Sequence, residues 1–296
     1  MKAALLPDRG VVKVAGDDAR KFLNGLITTD LGRLEPAQAR FAALLTPQGK
    51  ILADFLIAEN RPADGGGFFL DCPRALALSL VERLNFYKLR AKVIVEDLSE
   101  ILSIIAAWAG ETTGDYGLTY RDPRHPQLGL RAMLPPHLAG EAAVVFGAEL
   151  VDAKLYETHR VQLGIPRGGL DFTYGDAFPH ETDMDQLGGV DFDKGCFIGQ
   201  EVVSRMEHRG TARNRVVPVA FEGFAPDPGM AVTAGEKSVG TMGSSAAGRG
   251  LAMLRLDRVA DANAAGKLLV AGGVTINPVK PEWARFAWPG EAKSAG

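Results

Sequence analysis

The C-terminal third of the chain is cut into short apolar stretches by glycine, and this pattern constrains the fold most strongly. VVPVAFEG (216–223), GLAMLRL (250–256) and VTINPV (274–279) each have the length of a single strand. Glycine-rich turns separate them at close intervals along the sequence. Strands of this length and spacing predict a small antiparallel β-barrel, with a domain boundary near Asn214.

The preceding 213 residues mix strands with helices. Up to residue 97 the predicted order is strand–helix–strand–strand–helix–strand, with hairpins rather than crossovers, which is typical of an α+β layer. The clearest hairpin joins FAALLT to ILADFLIA through Pro47-Gln48-Gly49-Lys50. Apolar spacing predicts helices over 17–31, 76–87, 152–164 and 198–210. We therefore predict an α+β chain of three domains, 1–100, 101–213 and 214–296.

Composition excludes several classes of function. The net charge of −3 gives no reason to expect direct nucleic-acid binding. No apolar run is long enough to cross a bilayer, and MKAALLPDRG does not resemble a signal peptide, so we expect a cytoplasmic monomer with no membrane contact. Two cysteines are too few for a disulfide framework, and no two Cys or His residues have ligand spacing, so no metal site is predicted.

Cys196 is the strongest candidate for chemistry. It lies between Gly195 and Gly199, just before the predicted fourth helix, where a helix N-terminus would favour a thiolate. Nearby positive charge favours it too, from Lys194, Arg205, Arg209, Arg213 and Arg215 against Glu201 and Glu207. A small cysteine packed as a hydrophobe is the alternative, and a Cys–His hydrolase using His159, His180 or His208 is another. Cys72 ends an apolar strand and is expected to be inert.

The segment around this thiol resembles a known signature. Lys194-Gly195-Cys196-Phe197-x-Gly199-Gln200-Glu201 is similar to the K-G-C-(F/Y)-x-G-Q-E signature of YgfZ-type proteins, relatives of the glycine-cleavage aminomethyltransferases. GDDARKFLNGLITTDL (16–31), FYKLRAKVIVED (86–97) and HRVQLGIPRGGLD (159–171) resemble other blocks of that superfamily. The resemblance covers nearly the whole chain, in order.

The resemblance implies a fold and a role. The fold would have three lobes around a central hole that holds tetrahydrofolate, with ferredoxin-like α+β lobes and the small C-terminal barrel. The role would be that of an accessory protein in maturation or repair of 4Fe–4S enzymes, including methylthiotransferases that act on transfer RNA. The expected partners are folate and iron–sulfur client enzymes or assembly proteins, and transient contact of Cys196 with a cluster is left open.

The resemblance also implies site residues. Asp54 falls where folate-dependent aminomethyltransferases carry the aspartate that meets the reactive folate nitrogens, so it is the second catalytic candidate. Tyr156 falls where an aromatic ring stacks on the pterin, and Tyr87 and Arg90 are expected to line the folate site. Gln162 replaces a glutamate of true aminomethyltransferases. Conventional turnover is therefore left open, and a folate-dependent aminomethyl or methyl transferase is the alternative function.

Overall fold

The structure is a computed structural model that describes residues 1–289 apart from 36, 63, 64, 113 and 211. It divides into two compact units, and neither is a single stretch of sequence. Unit 1 comprises 1–156 and 187–200, whereas unit 2 comprises 157–186 and 201–296. The segment that carries Cys196 therefore belongs with the N-terminal half of the chain.

The first sheet of unit 1 has the strand order β3-β4-β5-β2-β6, with all neighbours antiparallel. Its strands are β2 (Arg9–Ala15), β3 (Ala39–Leu45), β4 (Ile51–Glu59), β5 (Phe68–Pro73) and β6 (Ile94–Asp97). Two helices accompany it, α1 (Ala19–Asn24) and α2 (Ala77–Lys88). Leu23, Phe55 and Leu84 are fully buried members of the core between sheet and helices. The predicted hairpin is β3–β4, and its two strands are confirmed.

The second sheet of unit 1 has the order β10-β1-β7-β9-β8. Its strands are β1 (Lys2–Leu6), β7 (Ser103–Trp108), β8 (Leu118–Arg121), β9 (Leu130–Leu134) and β10 (Glu149–Leu150). Helix α3 (Ala139–Val145) comes between β9 and β10 in sequence, and α4 (Ala153–Leu163) follows β10, with its residues from 157 onward belonging to unit 2. Because β1 pairs with β7, β1 lies in this sheet rather than with the rest of the predicted 1–100 lobe.

Unit 2 contains a closed antiparallel barrel in the order β11-β14-β13-β12-β15-β16. Its strands are β11 (Asn214–Phe221), β12 (Ala231–Ala234), β13 (Lys237–Ala246), β14 (Arg249–Arg255), β15 (Leu269–Ala271) and β16 (Val274–Pro278). Helix α5 (Gln200–Arg209) precedes the barrel, and α6 (Leu256–Ala264) lies within its sequence. The predicted mixture of α+β structure with a small C-terminal barrel is confirmed.

The structure differs locally from the predicted elements. The helix predicted over 17–31 begins at Ala19, after the N-cap Asp18, and ends at Asn24 rather than near Leu31. Short elements between 118 and 150 were not predicted, because β8, α3 and β10 have only two to seven residues each. Among the described residues no helix combines the length and the apolar character that a membrane crossing requires.

Candidate functional site

Asp191 fastens the segment before Cys196 to the loop that follows α1. Its carboxylate accepts hydrogen bonds from the Thr29 hydroxyl at 2.8 Å and from the Asp30 backbone N–H at 2.6 Å. The Arg40 guanidinium adds an ion pair at 2.6 Å. Partial burial alone would raise the pKa of Asp191, but these hydrogen bonds and the Arg40 charge lower it overall. The loop and the segment, about 160 residues apart in sequence, are thereby held as one piece.

Lys194 makes a second and more buried attachment. Its ammonium group donates to the backbone carbonyls of Asn24, Ile27 and Thr29 at 2.7–2.8 Å. Burial lowers the pKa of Lys194 to about 8, although the nearby carboxylates of Asp30 and Asp191 oppose this change. These carbonyls belong to the residues where the predicted first helix would have continued. They are satisfied by a side chain instead of by helical N–H groups, which explains why α1 ends early.

Gly199 brings the signature against the tip of the β3–β4 hairpin. Its φ of +81° is in the left-handed region, and a Cβ there would lie 2.7 Å from the Thr46 carbonyl oxygen and 3.0 Å from Gly49 Cα. Both features require glycine at this position. Gly195 differs, because it is exposed and a Cβ there would meet nothing within 4 Å.

Cys196 itself is exposed, in a stretch that is neither helix nor strand between these anchor points. Helix α5 begins at Gln200, so Cys196 lies four residues before its first residue, and the action of the helix N-terminus on the thiol stays a prediction. Two of the predicted basic neighbours are paired with acids. Arg205 bonds Glu201 at 2.5 Å, and Arg215 bonds Asp185 at 2.6 Å. The structure therefore presents the thiol to solvent, and the catalytic role of Cys196 stays a prediction.

Asp54 lies on β4, opposite Ala43 of β3, and is only 6% exposed. From the sequence alone, the alternation of the strand would also fit a polar residue that faces solvent. In the structure the Asp54 carboxylate is buried. Asp54 is three residues along β4 from Ile51, its first residue, which is roughly 10 Å at about 3.3 Å of rise per residue, and the turn that Gly199 contacts lies beyond Ile51. The same hairpin thus carries the carboxylate and supports the cysteine segment, at separate positions.

The remaining predicted folate residues lie on other elements. Tyr156, near the start of α4, is buried; its hydroxyl accepts a hydrogen bond from Arg131 at 3.2 Å, and its ring packs edge-on against Trp108 at 5.2 Å. Tyr87 is half-buried near the end of α2, and Arg90 is exposed two residues beyond that helix. Glu201 and Gln200 open α5, with Glu201 exposed. Their roles toward folate or within the signature stay predictions.

A buried ion network in unit 1 escaped the sequence analysis. Asp71, fully buried on β5, is bonded by Arg9 at 2.5 Å, by Arg131 at 2.6 Å and by the Tyr120 hydroxyl at 3.1 Å. Burial alone would raise the pKa of Asp71, but the two guanidinium groups lower it overall. The only sign of this network in the sequence is Asp71 inside the apolar run FFLDC. The two-residue alternation of a β-strand does not predict a buried charge at such a position.

The C-terminal barrel and the overall fold are similar to those of known proteins. Residues 213–286 match the model of the CAF17 C-terminal beta-barrel domain. A solved glycine cleavage system aminomethyltransferase T from Bartonella henselae superposes with a TM-score of 0.74, covering 97% of this chain and 87% of that one. At 15% identity this likeness shows the fold alone, and it confirms the predicted aminomethyltransferase-like architecture.

Relatives found by sequence similarity identify the family more specifically than the shared fold does. The mitochondrial iron–sulfur cluster assembly factor IBA57 of Mus musculus is 32% identical, over 97% of this chain and 86% of its own length. The human protein of the same name is 32% identical, over 86% and 77% respectively. The Mycosarcoma maydis homolog is 36% identical over 74% of this chain, which spans only 57% of that relative's length.

These relatives correct two expectations. All three are named as mitochondrial proteins, so the prediction of a cytoplasmic location is contradicted. The resemblance to YgfZ-type proteins identified the right superfamily but not the right member. With two relatives above 30% identity matched over more than two thirds of their lengths, this chain belongs to the IBA57 family.

Proposed function

We propose that this chain assists the assembly or repair of iron–sulfur clusters in client enzymes, with Cys196 as its working thiol. Its relatives in mouse and human are named iron–sulfur cluster assembly factors. The observation that carries the proposal is the placement of the thiol: Lys194 and Gly199 are committed to structural contacts, whereas Cys196 between them is exposed. A thiol held this way is accessible to iron or sulfur carried by a partner protein.

The first experiment compares the two cysteines. A purified apo client that needs a 4Fe–4S cluster is incubated with iron, a sulfide source and the full chain, and cluster formation is followed by absorbance and by the client's recovered activity. Cys196→Ala should abolish the stimulation, whereas Cys72→Ala, a change at the only other cysteine, should retain it. Full stimulation by folded Cys196→Ala would refute the role of the thiol.

We further propose that unit 1 binds tetrahydrofolate, with Asp54 as the contact to the folate nitrogens. The aminomethyltransferase-like fold and the buried carboxylate on β4 support this proposal. A buried carboxylate is a suitable acceptor for a ring N–H and a suitable proton acceptor during one-carbon chemistry. Tyr87, Arg90 and Tyr156 are the further candidates for this site.

Calorimetry with tetrahydrofolate separates folate binding from the role of the thiol. Wild type and Cys196→Ala should bind with similar affinity, and Asp54→Asn should bind at least tenfold more weakly. Absence of binding by wild type would remove the folate proposal and leave the thiol proposal standing. Catalytic one-carbon transfer that requires Asp54 but survives in Cys196→Ala would favour the transferase alternative.

A further inference from the structure

Unit 2 contains a cluster of potential metal ligands that the spacing of residues in the sequence did not predict. His180, Asp185 and Glu207 each offer one ligand atom, and these atoms lie within 4.8 Å of one another. His180 Nε2 is 3.0 Å from Glu207 Oε2. His180 and Asp185 come from the segment before Cys196, and Glu207 from α5, so the cluster exists only in the folded unit.

The backbone that carries the first two ligands is fixed on both sides. The His180 carbonyl accepts a hydrogen bond from Arg215 Nη1 at 2.6 Å, and the Glu181 carbonyl accepts one from the Val216 N–H at 2.9 Å. Asp183, between the two ligands in sequence, has a φ of +61°, which is rare for a residue with a side chain. This turn folds the chain so that His180 and Asp185 line the same cleft.

We propose that His180, Asp185 and Glu207 bind a divalent first-row transition-metal ion such as Zn²⁺ or Fe²⁺. One imidazole with two carboxylates is a donor set suited to these ions. Two ligand atoms each about 2.1 Å from an ion are about 3.0 Å apart at a right angle and about 3.4 Å apart at the tetrahedral angle. The 3.0 Å from His180 Nε2 to Glu207 Oε2 is close to this range. The ion would replace the proton that these two atoms share in their hydrogen bond.

Burial of the three ligands differs in a way that suits an exchangeable ion. The side chains of His180 and Asp185 are only 2% and 4% exposed, whereas that of Glu207 is 45% exposed. At these bond lengths two ligands of one ion are about 3.4 Å apart at the tetrahedral angle and no more than about 4.2 Å apart at any angle, so ligand atoms that now lie within 4.8 Å of one another need only small movements. Glu207, on the exposed side, is the ligand with the most room to rotate.

Arg215 provides the outer support that a metal-bound carboxylate needs. Its two terminal nitrogens bond the two oxygens of Asp185 at 2.6 and 2.9 Å, which fixes the orientation of that carboxylate and leaves its other lone pairs available. The carboxylates of Asp185 and Glu207 lie beside this one buried guanidinium. The site opens on a cleft of about 650 Å³, which has room for water ligands; the exposed Arg213 and Arg285 lie on its wall.

The test uses the full-length chain freed of metal with a chelator and then titrated with Zn²⁺ by calorimetry. Wild type should bind one equivalent at this site, and Glu207→Gln and Asp185→Asn should each weaken binding at least tenfold. Glu201→Gln is the matched control, since it changes the same residue type on the same helix at an exposed position, and it should leave binding unchanged. Thermal unfolding without metal checks that each variant is folded.

A second readout distinguishes this site from Cys196. Co²⁺ bound by nitrogen and oxygen ligands shows no thiolate-to-metal charge-transfer band, so the spectrum should lack that band and be retained in Cys196→Ala. The proposal is overturned if wild type binds no ion, or if binding survives both Glu207→Gln and Asp185→Asn. It is also overturned if Cys196→Ala alone abolishes binding. None of these results depends on cluster assembly or on folate.

Discussion

Replacing Lys194 by methionine should lower the free energy of unfolding by about 2–4 kcal/mol, because two buried carbonyls and one partly buried carbonyl lose their donor at about 1–3 kcal/mol each. Part of that loss is offset, since methionine removes the cost of burying an ammonium group. Lys194 is 7% exposed and donates to Asn24, Ile27 and Thr29. Methionine has a similar length, so little of the effect comes from lost volume.

The pH dependence gives this prediction a second, independent check. Lys194 has a pKa of about 8 in the folded chain and 10.5 ordinarily, so between these values the unfolded chain binds more protons than the folded one. Stability contributed by this group therefore rises as pH increases from about 8 to 10.5. The difference between wild type and Lys194→Met should be larger at pH 10 than at pH 7.

Urea unfolding of wild type, Lys194→Met and Lys21→Met at both pH values measures these effects. Lys21 is exposed on α1, so its replacement controls for the loss of one positive charge. The reasoning is refuted if Lys194→Met costs no more than Lys21→Met, or if its cost does not change between the two pH values.

Three further predictions follow from the structure. Gly199→Ala should cost about 1–3 kcal/mol of stability in denaturant unfolding because of its positive φ and backbone contact, and Gly195→Ala should cost far less; equal costs would contradict the role assigned to Gly199. Burial favours protonation of Asp122, but neighbouring guanidinium groups lower its pKa to about 2, so its stabilising contribution is lost as pH falls from about 4 through 2. The difference in stability between wild type and Asp122→Asn should therefore shrink as pH falls over that range in acid unfolding. A constant difference would contradict the lowered pKa of Asp122. A thiol reagent should label Cys196 in the native chain. Cys72 is buried, which raises its pKa to about 12, so it should react only after unfolding. Rapid labelling of Cys72 in the native chain would contradict this burial.

The sequence predicted those elements whose pattern is local. Apolar alternation on both sides of Pro47-Gln48-Gly49-Lys50 predicted the β3–β4 hairpin, and glycine punctuation predicted the C-terminal barrel. The end of α1 was not predictable in this way. Its apolar spacing continues to Leu31, but carbonyls from Asn24 onward accept hydrogen bonds from a lysine about 165–170 residues away.

The same distinction between local patterns and long-range contacts applies to the candidate site. Cys196 stood out by its neighbours in sequence, whereas the partners of Lys194 and Gly199 could not be found in a single sequence, because they lie on a loop and a turn far upstream. Buried charges such as Asp71 and Arg131 were missed for a related reason. Period-two patterns distinguish apolar from polar positions, but not a solvated charge from a buried one that has found its counter-ion.

The return of residues 187–200 to unit 1 has a consequence for the order in which this chain acquires its structure. When residue 156 has just been synthesised, the loop around Thr28 still lacks Gly189, Asp191 and Lys194, which are its hydrogen-bonding partners. Contacts between residues so far apart in sequence are slow to form. Presentation of the thiol and completion of unit 1 are therefore a single late event, and a chain that stops before residue 187 lacks both.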